Sequence, residues 1–318
     1  MNRTIGWLLL TRLVLSILTL WFVATVVFFI TNLLPGDVAQ ELLGQSATPE
    51  AVAGLRKALG LDEPPLARYL SWLGHLLKGD PGKSLVNGMP VATLIGSRLG
   101  NSLILAGITA LVAVPLALLL GITSAVKRGS FYDRVVGAGT VLVVSVPEFL
   151  VASAAVLIFA VHLRWFPALS HLGHLETPFD VFRVFALPVM TLTFVIVAQM
   201  ARMTRAALID VLSSSYVEMA RLKGASRRRI ILQHALPNAI GPIANAIAFS
   251  LSFLLGGVII VETIFNYPGI AKLMVDGVAT RDLPLVQACA MLFCGAYLIL
   301  VTTADIAAIV ANPRLRHG

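Results

Sequence analysis

Apolar positions in this chain come in long unbroken runs, and polar positions gather between them. Residues 13–33 and 101–126 carry no charge, 135–161 carries only Glu148, and 184–201 ends at Arg202. Residues 239–261 and 285–304 are also uncharged. One bilayer crossing takes roughly 20 apolar residues, so each of the six runs is close to the required length. In lipid the backbone N–H and C=O groups have no water to bond, so a crossing run must satisfy them internally as a helix. The alternation of a barrel strand is missing from all six. The pattern therefore predicts an all-α membrane protein with six transmembrane helices. Interior glycines and prolines such as Gly107, Pro115, Gly121, Pro147, Gly256 and Gly257 are compatible with packed membrane helices. There they allow close approach or kinks.

Two polar stretches are too long to be plain connectors. In 34–100, Thr48 can cap a helix that Pro49 and Glu50 begin and Gly60 ends. A second helix is expected from about Pro65, through Tyr69, Trp72, Leu73 and Leu76, to a stop at Gly79. Its aromatic and leucine stripe can lie on the membrane surface or pack on the spans, and packing is the more ordinary outcome. The expectation is a small helical segment outside the membrane. In 202–237, Ser215-Tyr216-Val217-Glu218 has the spacing of a capping box. A short helix is expected to start there and end at Gly224, and Ser226 is expected to start another that Pro237 interrupts. Such a helix cannot cross the bilayer. It is either a basic anchor for anionic headgroups or a rigid peg for a partner.

Composition agrees with this pattern and narrows the class. Hydrophobic residues make up 58% and charged residues 13%, with a mean hydropathy of +0.88. That excludes disorder, nucleic-acid binding and an ordinary soluble enzyme. The net charge of +8 is unevenly spread. With the N-terminus inside, the inner segments hold fourteen Lys and Arg against three Asp and Glu; the outer segments hold ten against eleven. The excess of inner cations predicts both termini in the cytoplasm. The first apolar run is too long for a cleaved leader and lacks a small-residue cleavage site, so it is expected to remain as the first span. Cys289 and Cys294 are five apart on a helix, point to different faces and are read as packing residues.

Few residues carry candidate chemistry. The run 78–84 reads KGDPGKS, but a phosphate loop needs a glycine where Leu77 stands, so a glycine-rich turn is expected instead. No nucleophile–base or zinc-protease motif is present, and no cofactor or metal is expected. The His171-x-x-His174 spacing is weak evidence for a metal, and a solvated loop is the better reading. Glu148 is the one acid inside a run, directly after Pro147. Acids in spans are costly and tend to face cavities, so Glu148 is a candidate for the translocation path, with structural pairing as the equal alternative. Asn245 is a second candidate. Asn245 and Gln199 are also expected to make interhelical hydrogen bonds.

The order of these features resembles the permease subunits of binding-protein-dependent ABC importers. Glu218-Met219-Ala220, three residues, Gly224, nine residues, His234, one residue and Leu236-Pro237 are similar to that family's EAA loop. Met219 stands where the family has a middle alanine, and His234 where it has an isoleucine. The stretch 216–238 is most similar to the dipeptide and oligopeptide branch, where histidine is usual at that place. Leu34-Pro35-Gly36-Asp37, Leu59-Gly60-Leu61-Asp62, Gly79-Asp80 with Gly82 and Ser84, Glu262, Phe265, Pro268-Gly269, Arg281-Asp282 and Asn312-Pro313-Arg314 continue the likeness over nearly the whole chain. The set together resembles the first, B-type permease of a peptide importer.

The resemblance implies a bacterial inner-membrane protein with a second homologous permease, two cytoplasmic ATPase subunits and an extracytoplasmic solute-binding protein as partners. It implies that Tyr216, Glu218, Met219, Ala220, Gly224, Leu236 and Pro237 couple the chain to an ATPase. It also implies a division into 1–100, with the first span and outer helices, and 101–318, a five-helix type-1 importer domain with the EAA loop at about 202–237. A self-contained secondary transporter or channel with Glu148 exchanging protons is the competing function.

Overall fold

The structure is a computed structural model and describes residues 2–33, 38–58, 60–173 and 176–311. The motif residues at 34–37, Leu59, His174 and the ending at 312–316 lie outside the described residues. The described part is helical; its single extended pairing is an isolated bridge between Lys83 and Pro90. The helices are α1 (Asn2–Leu33), α2 (Val38–Leu43), α3 (Pro49–Ala58), α4 (Pro65–Leu77), α5 (Val91–Val126), α6 (Phe131–Ser145) and α7 (Glu148–Ala155). They continue with α8 (Pro178–Leu212), α9 (Ser215–Leu222), α10 (Arg227–Arg229), α11 (Leu236–Ile264), α12 (Ile270–Ala279) and α13 (Leu283–Ala311). Five stretches are long and apolar enough to cross a membrane: Leu10–Leu33, Val91–Val126, Pro178–Leu212, Arg227–Ile264 and Leu283–Thr303. A sixth forms if α6 and the helix Glu148–His162 are one broken span. All six expected runs are thereby accounted for.

Two local expectations are corrected. The run 135–161 is not one rod: its two halves are bent by 96° at Val146 and Pro147. Proline has no N–H to donate and disfavours helical backbone in the residue before it. Val146 accordingly sits at φ −91°, ψ 124° and Pro147 at φ −57°, ψ 138°. Pro237, by contrast, does not interrupt its helix. Residues Ile230–Ala235 widen into π turns, and the helix runs on from Arg227 to Ile264. The wider turn moves the carbonyl that the proline ring would otherwise strike.

The chain divides into two compact units. The first comprises Met1–Val14, Leu103–Tyr267 and Tyr297–Gly318. Here α5 and α8 cross closely at Gly121, where a Cβ would lie 2.7 Å from the Ala201 carbonyl oxygen and 2.8 Å from Thr204 Cβ. Only glycine fits that crossing. Ala125, Leu208, Ala235 and Ala239 form a buried cluster joining the ends of α5, α8 and α11. Beside it Asp133, 5% exposed, receives Arg205 through Nε (2.6 Å) and Nη2 (2.8 Å), the Ser124 hydroxyl (2.5 Å) and the Gly129 N–H (2.9 Å). One carboxylate thus fastens the α5–α6 turn to α8.

The second unit comprises Leu15–Ser102 and Pro268–Ala296. Thr48 accepts the Ala51 N–H at 3.3 Å, and Gly60 and Gly79 take φ of +65° and +78° after their helices, as the turn chemistry requires. The stripe on α4 packs rather than lying on a surface. Tyr69 is buried against Phe28 and Phe29 of α1, and its hydroxyl lies 2.8 Å from that of Thr25. Val91, Ile95, Ile270, Leu285, Ala288 and Cys289 form the core, so Cys289 is a packing residue. The motif residues Ser84 and Asp282, distant in sequence, bond directly, and Asp282 also takes the Leu85 N–H at 3.0 Å. The KGDPGKS run is a turn, with Gly82 at φ +84° and its N–H on Asp80.

Candidate functional site

The polar connection between α8 and α11 is built as a braced peg. Helix α9 is only eight residues long, too short to be stable alone. It is held at its base by Val217, which is fully buried. Its end is a Schellman turn: the Gly224 N–H reaches the Arg221 carbonyl at 3.0 Å and the Ala225 N–H reaches the Ala220 carbonyl at 3.2 Å. Gly224 sits at φ +79°, the left-handed conformation expected of it. Ser226 then accepts the Arg229 N–H and starts the next helix.

The start of α9 differs from expectation. Ser215 is the first helical residue, and the cap position belongs to Ser214. The Ser214 hydroxyl donates to the Val211 carbonyl at 2.5 Å and caps nothing, so no capping box forms. The chain leaves α8 after Leu212 and enters α9 within two residues; that tight turn takes up the serine. Glu218 remains in the first turn, where it favours the helix dipole.

The candidate coupling residues separate into two groups. Tyr216, Met219 and the neighbouring Leu222 are exposed, at 42%, 53% and 77%, and follow one another at i, i+3 spacing along one side of α9; Glu218 is exposed too but, two residues from Tyr216, points to a different side. A contiguous row of exposed large apolar side chains on a polar loop marks an interaction surface. Ala220 is half-buried, and Leu236 packs against the buried cluster below, with Pro237 exposed next to it. Leu236 therefore packs at the span ends rather than on the exposed side of the peg. Sequence reasoning missed Leu222 and Val217; the i, i+3 spacing of Tyr216, Met219 and Leu222 was the available signal.

The two path candidates are not brought together. Glu148 begins α7 at the break of the bent span, and its half-buried carboxylate lies against Gly257 of α11, where a Cβ would overlap it. It has no hydrogen-bond or ion-pair partner among the described residues. Asn245 stands twelve residues earlier on α11, about 18 Å along the axis. It is exposed on a stripe with Phe249 and Phe253. Neither Asn245 nor Gln199 makes the expected interhelical bond among the described residues, which corrects that reading. The reason is their placement: Asn245 faces outward from the packed side of α11, and Gln199 is half-exposed on α8. No group of three metal-ligating side chains occurs among the described residues, and His162 contacts the Leu157 carbonyl.

Comparison with known proteins gives this geometry a context. Residues 117–317 match the family described as "Binding-protein-dependent transport system inner membrane component", and 6–106 match "Binding-prot-dependent transport system membrane comp, N-term". The chain is 34% identical over 312 residues to "Probable peptide ABC transporter permease protein y4tP" of Sinorhizobium fredii, covering 98% of this chain and 100% of that one. It is 36% identical over 308 residues to the glutathione transport system permease protein GsiC of Salmonella typhi, covering 97% and 98%. These matches span both the long helices and the braced peg, and on them the chain belongs to the family of binding-protein-dependent transport system inner membrane components.

Proposed function

We propose that this permease forms half of the path by which an ATP-driven importer moves peptides or a similar small solute inward, and that α9 is its contact with an ATPase subunit. The observation that supports this most is the bare Tyr216, Met219 and Leu222 face on a helix otherwise fixed by Val217 and the Gly224 turn. The relatives named for peptide and glutathione transport support the solute class. In this reading a homologous permease supplies the other half, two cytoplasmic subunits hydrolyse ATP, and an extracytoplasmic binding protein delivers the solute. Closure of the ATPases pushes α9, and the spans rock between outward-open and inward-open states as rigid bodies. The division into 1–100 and 101–318 assigns the outer helices to the first segment and coupling to the second. Co-expression with the neighbouring ATPase genes tests the reading: the subunits co-purify with the wild-type chain, and a chain that never retains them would end it.

Both termini are proposed to be cytoplasmic, from the charge asymmetry. Ser84 is buried against Asp282, so cysteines placed at the nearby exposed Asn87 and at Ser226 are expected to label from opposite sides of intact cells. Labelling of Ser226→Cys by an impermeant reagent from outside would reverse the orientation.

Glu148 is proposed to line the path, because a half-buried carboxylate without an internal partner needs water or solute beside it. Glu148→Gln is expected to change uptake while the complex assembles normally. Gly257→Ala is expected to act similarly by pushing the carboxylate aside. Wild-type uptake in both variants would leave Glu148 a packing residue.

A further inference from the structure

Behind α9 lies a cavity of about 660 Å³ whose lining combines opposite chemistries. Arg128 from the α5–α6 turn, Arg221 from α9 and Arg227 from α10 contribute three guanidinium side chains, and Glu218 is the one acid among the lining residues. The remaining walls include Val126, Ile209, Leu212 and Ile231, at the ends of the spans. Arg227 donates to the Val126 carbonyl and so helps shape the wall. Arg128 and Arg221 have no ion pair or side-chain hydrogen bond among the described residues. Among the described lining residues, three cations stand against one anion, which leaves the cavity with an excess of positive charge.

The surroundings place this cavity at a membrane boundary. Helix α6 opens with Phe131, 83% exposed, and Tyr132, whose hydroxyl lies 2.9 Å from that of Thr123. The Lys127 ammonium sits 5.2 Å from the Tyr132 ring centre. Amphipathic aromatics with nearby cations are characteristic of the headgroup level. A ligand that matches the cavity must present an anion to the guanidinia and an apolar part to the walls at the same time. An acidic side chain of a soluble partner satisfies only the first demand and leaves Val126, Ile209, Leu212 and Ile231 wet. An anionic phospholipid satisfies both, and arginine pairs with its phosphate through two parallel N–H donors.

We infer that this cavity is a binding site for the phosphate headgroup of an anionic phospholipid, lodged between the coupling helix and the span ends. Because Arg221 belongs to α9, the lipid joins the peg to the α5–α6 turn, and its occupancy stiffens the element that receives force. The inference rests on the cytoplasmic placement of this loop proposed above.

The test uses the full transporter in nanodiscs of phosphatidylcholine containing phosphatidylglycerol, with the retained phosphatidylglycerol read by native mass spectrometry. Arg128→Gln removes one guanidinium from the cavity and is expected to retain phosphatidylglycerol about tenfold more weakly, the factor for one lost hydrogen bond to a charged group. Arg228→Gln removes the same charge from a position outside the lining and is expected to behave as wild type. Equal losses in the two variants would mean diffuse attraction and overturn the site. Displacement of the lipid by added inorganic phosphate would make the ligand a free anion and overturn it too. Unchanged lipid retention with loss of the ATPase subunits in Arg128→Gln would give the cavity to a protein partner. Co-purified ATPase, measured on the same preparations, keeps the two readings apart: normal co-purification with no lipid difference ends the lipid site alone.

Discussion

Replacing Arg205 by methionine is expected to destabilise the subunit by about 3 kcal/mol, toward the lower end for a broken buried pair because a third of the arginine side chain reaches the surface. The cost comes from what is left behind. Asp133 stays buried with its charge, and the Ser124 and Gly129 donors alone remain to stabilise it. The α5–α6 turn is then no longer fastened to α8. Replacing both residues by apolar ones is expected to recover only part of the loss: the ion pair is gone from both sides, but the Gly129 N–H and Ser124 hydroxyl lose their acceptor. The measurement is the thermal midpoint and monodispersity of the purified subunit in detergent. An unchanged midpoint for Arg205→Met would show that the pair contributes nothing to holding these helices together.

Substitutions in the peg are expected to leave the subunit folded and abolish coupling. At Gly224 a side chain meets no atom within 4 Å, so the penalty is purely that of backbone at φ +79°. For valine that is about 1–2 kcal/mol, small beside six packed spans but large beside an eight-residue helix. Gly224→Val is therefore expected to unwind the Schellman turn and misplace Met219 and Leu222. Glu218→Lys works by charge: it sets a cation in the electropositive first turn of α9 and removes the one acid among the residues lining the cavity behind the peg. Both variants are expected to insert at wild-type levels and to lose ATPase co-purification or ligand-stimulated ATP turnover in vesicles. Wild-type values for both would make the loop a lipid anchor and remove the mechanical centre of the importer reading.

The sequence by itself determined the architecture. Six apolar runs can be nothing but helices in lipid, because every backbone group must find its partner within the same segment. The short helices of 34–100 were legible for a related reason: Thr48, Pro49, Gly60 and Gly79 act through backbone geometry within a few residues of themselves. Gly224 was legible on the same grounds. Ser215 was not, because Ser213, Ser214 and Ser215 are all competent caps and the choice depended on where α8 released the chain. Tertiary structure also decided which proline broke its helix. The chain bends by 96° at Pro147, whereas Pro237 follows π turns that end at Ala235, and Ala235 and Ala239 anchor that helix in the buried cluster. Most of all it decided which polar groups meet. Asp133 finds Arg205, Ser84 finds Asp282, and Arg128, Arg221 and Arg227 converge on one cavity. Such encounters depend on how helices cross, which is set by small contacts such as Gly121 against Ala201 and cannot be read from the spacing of residues along one chain.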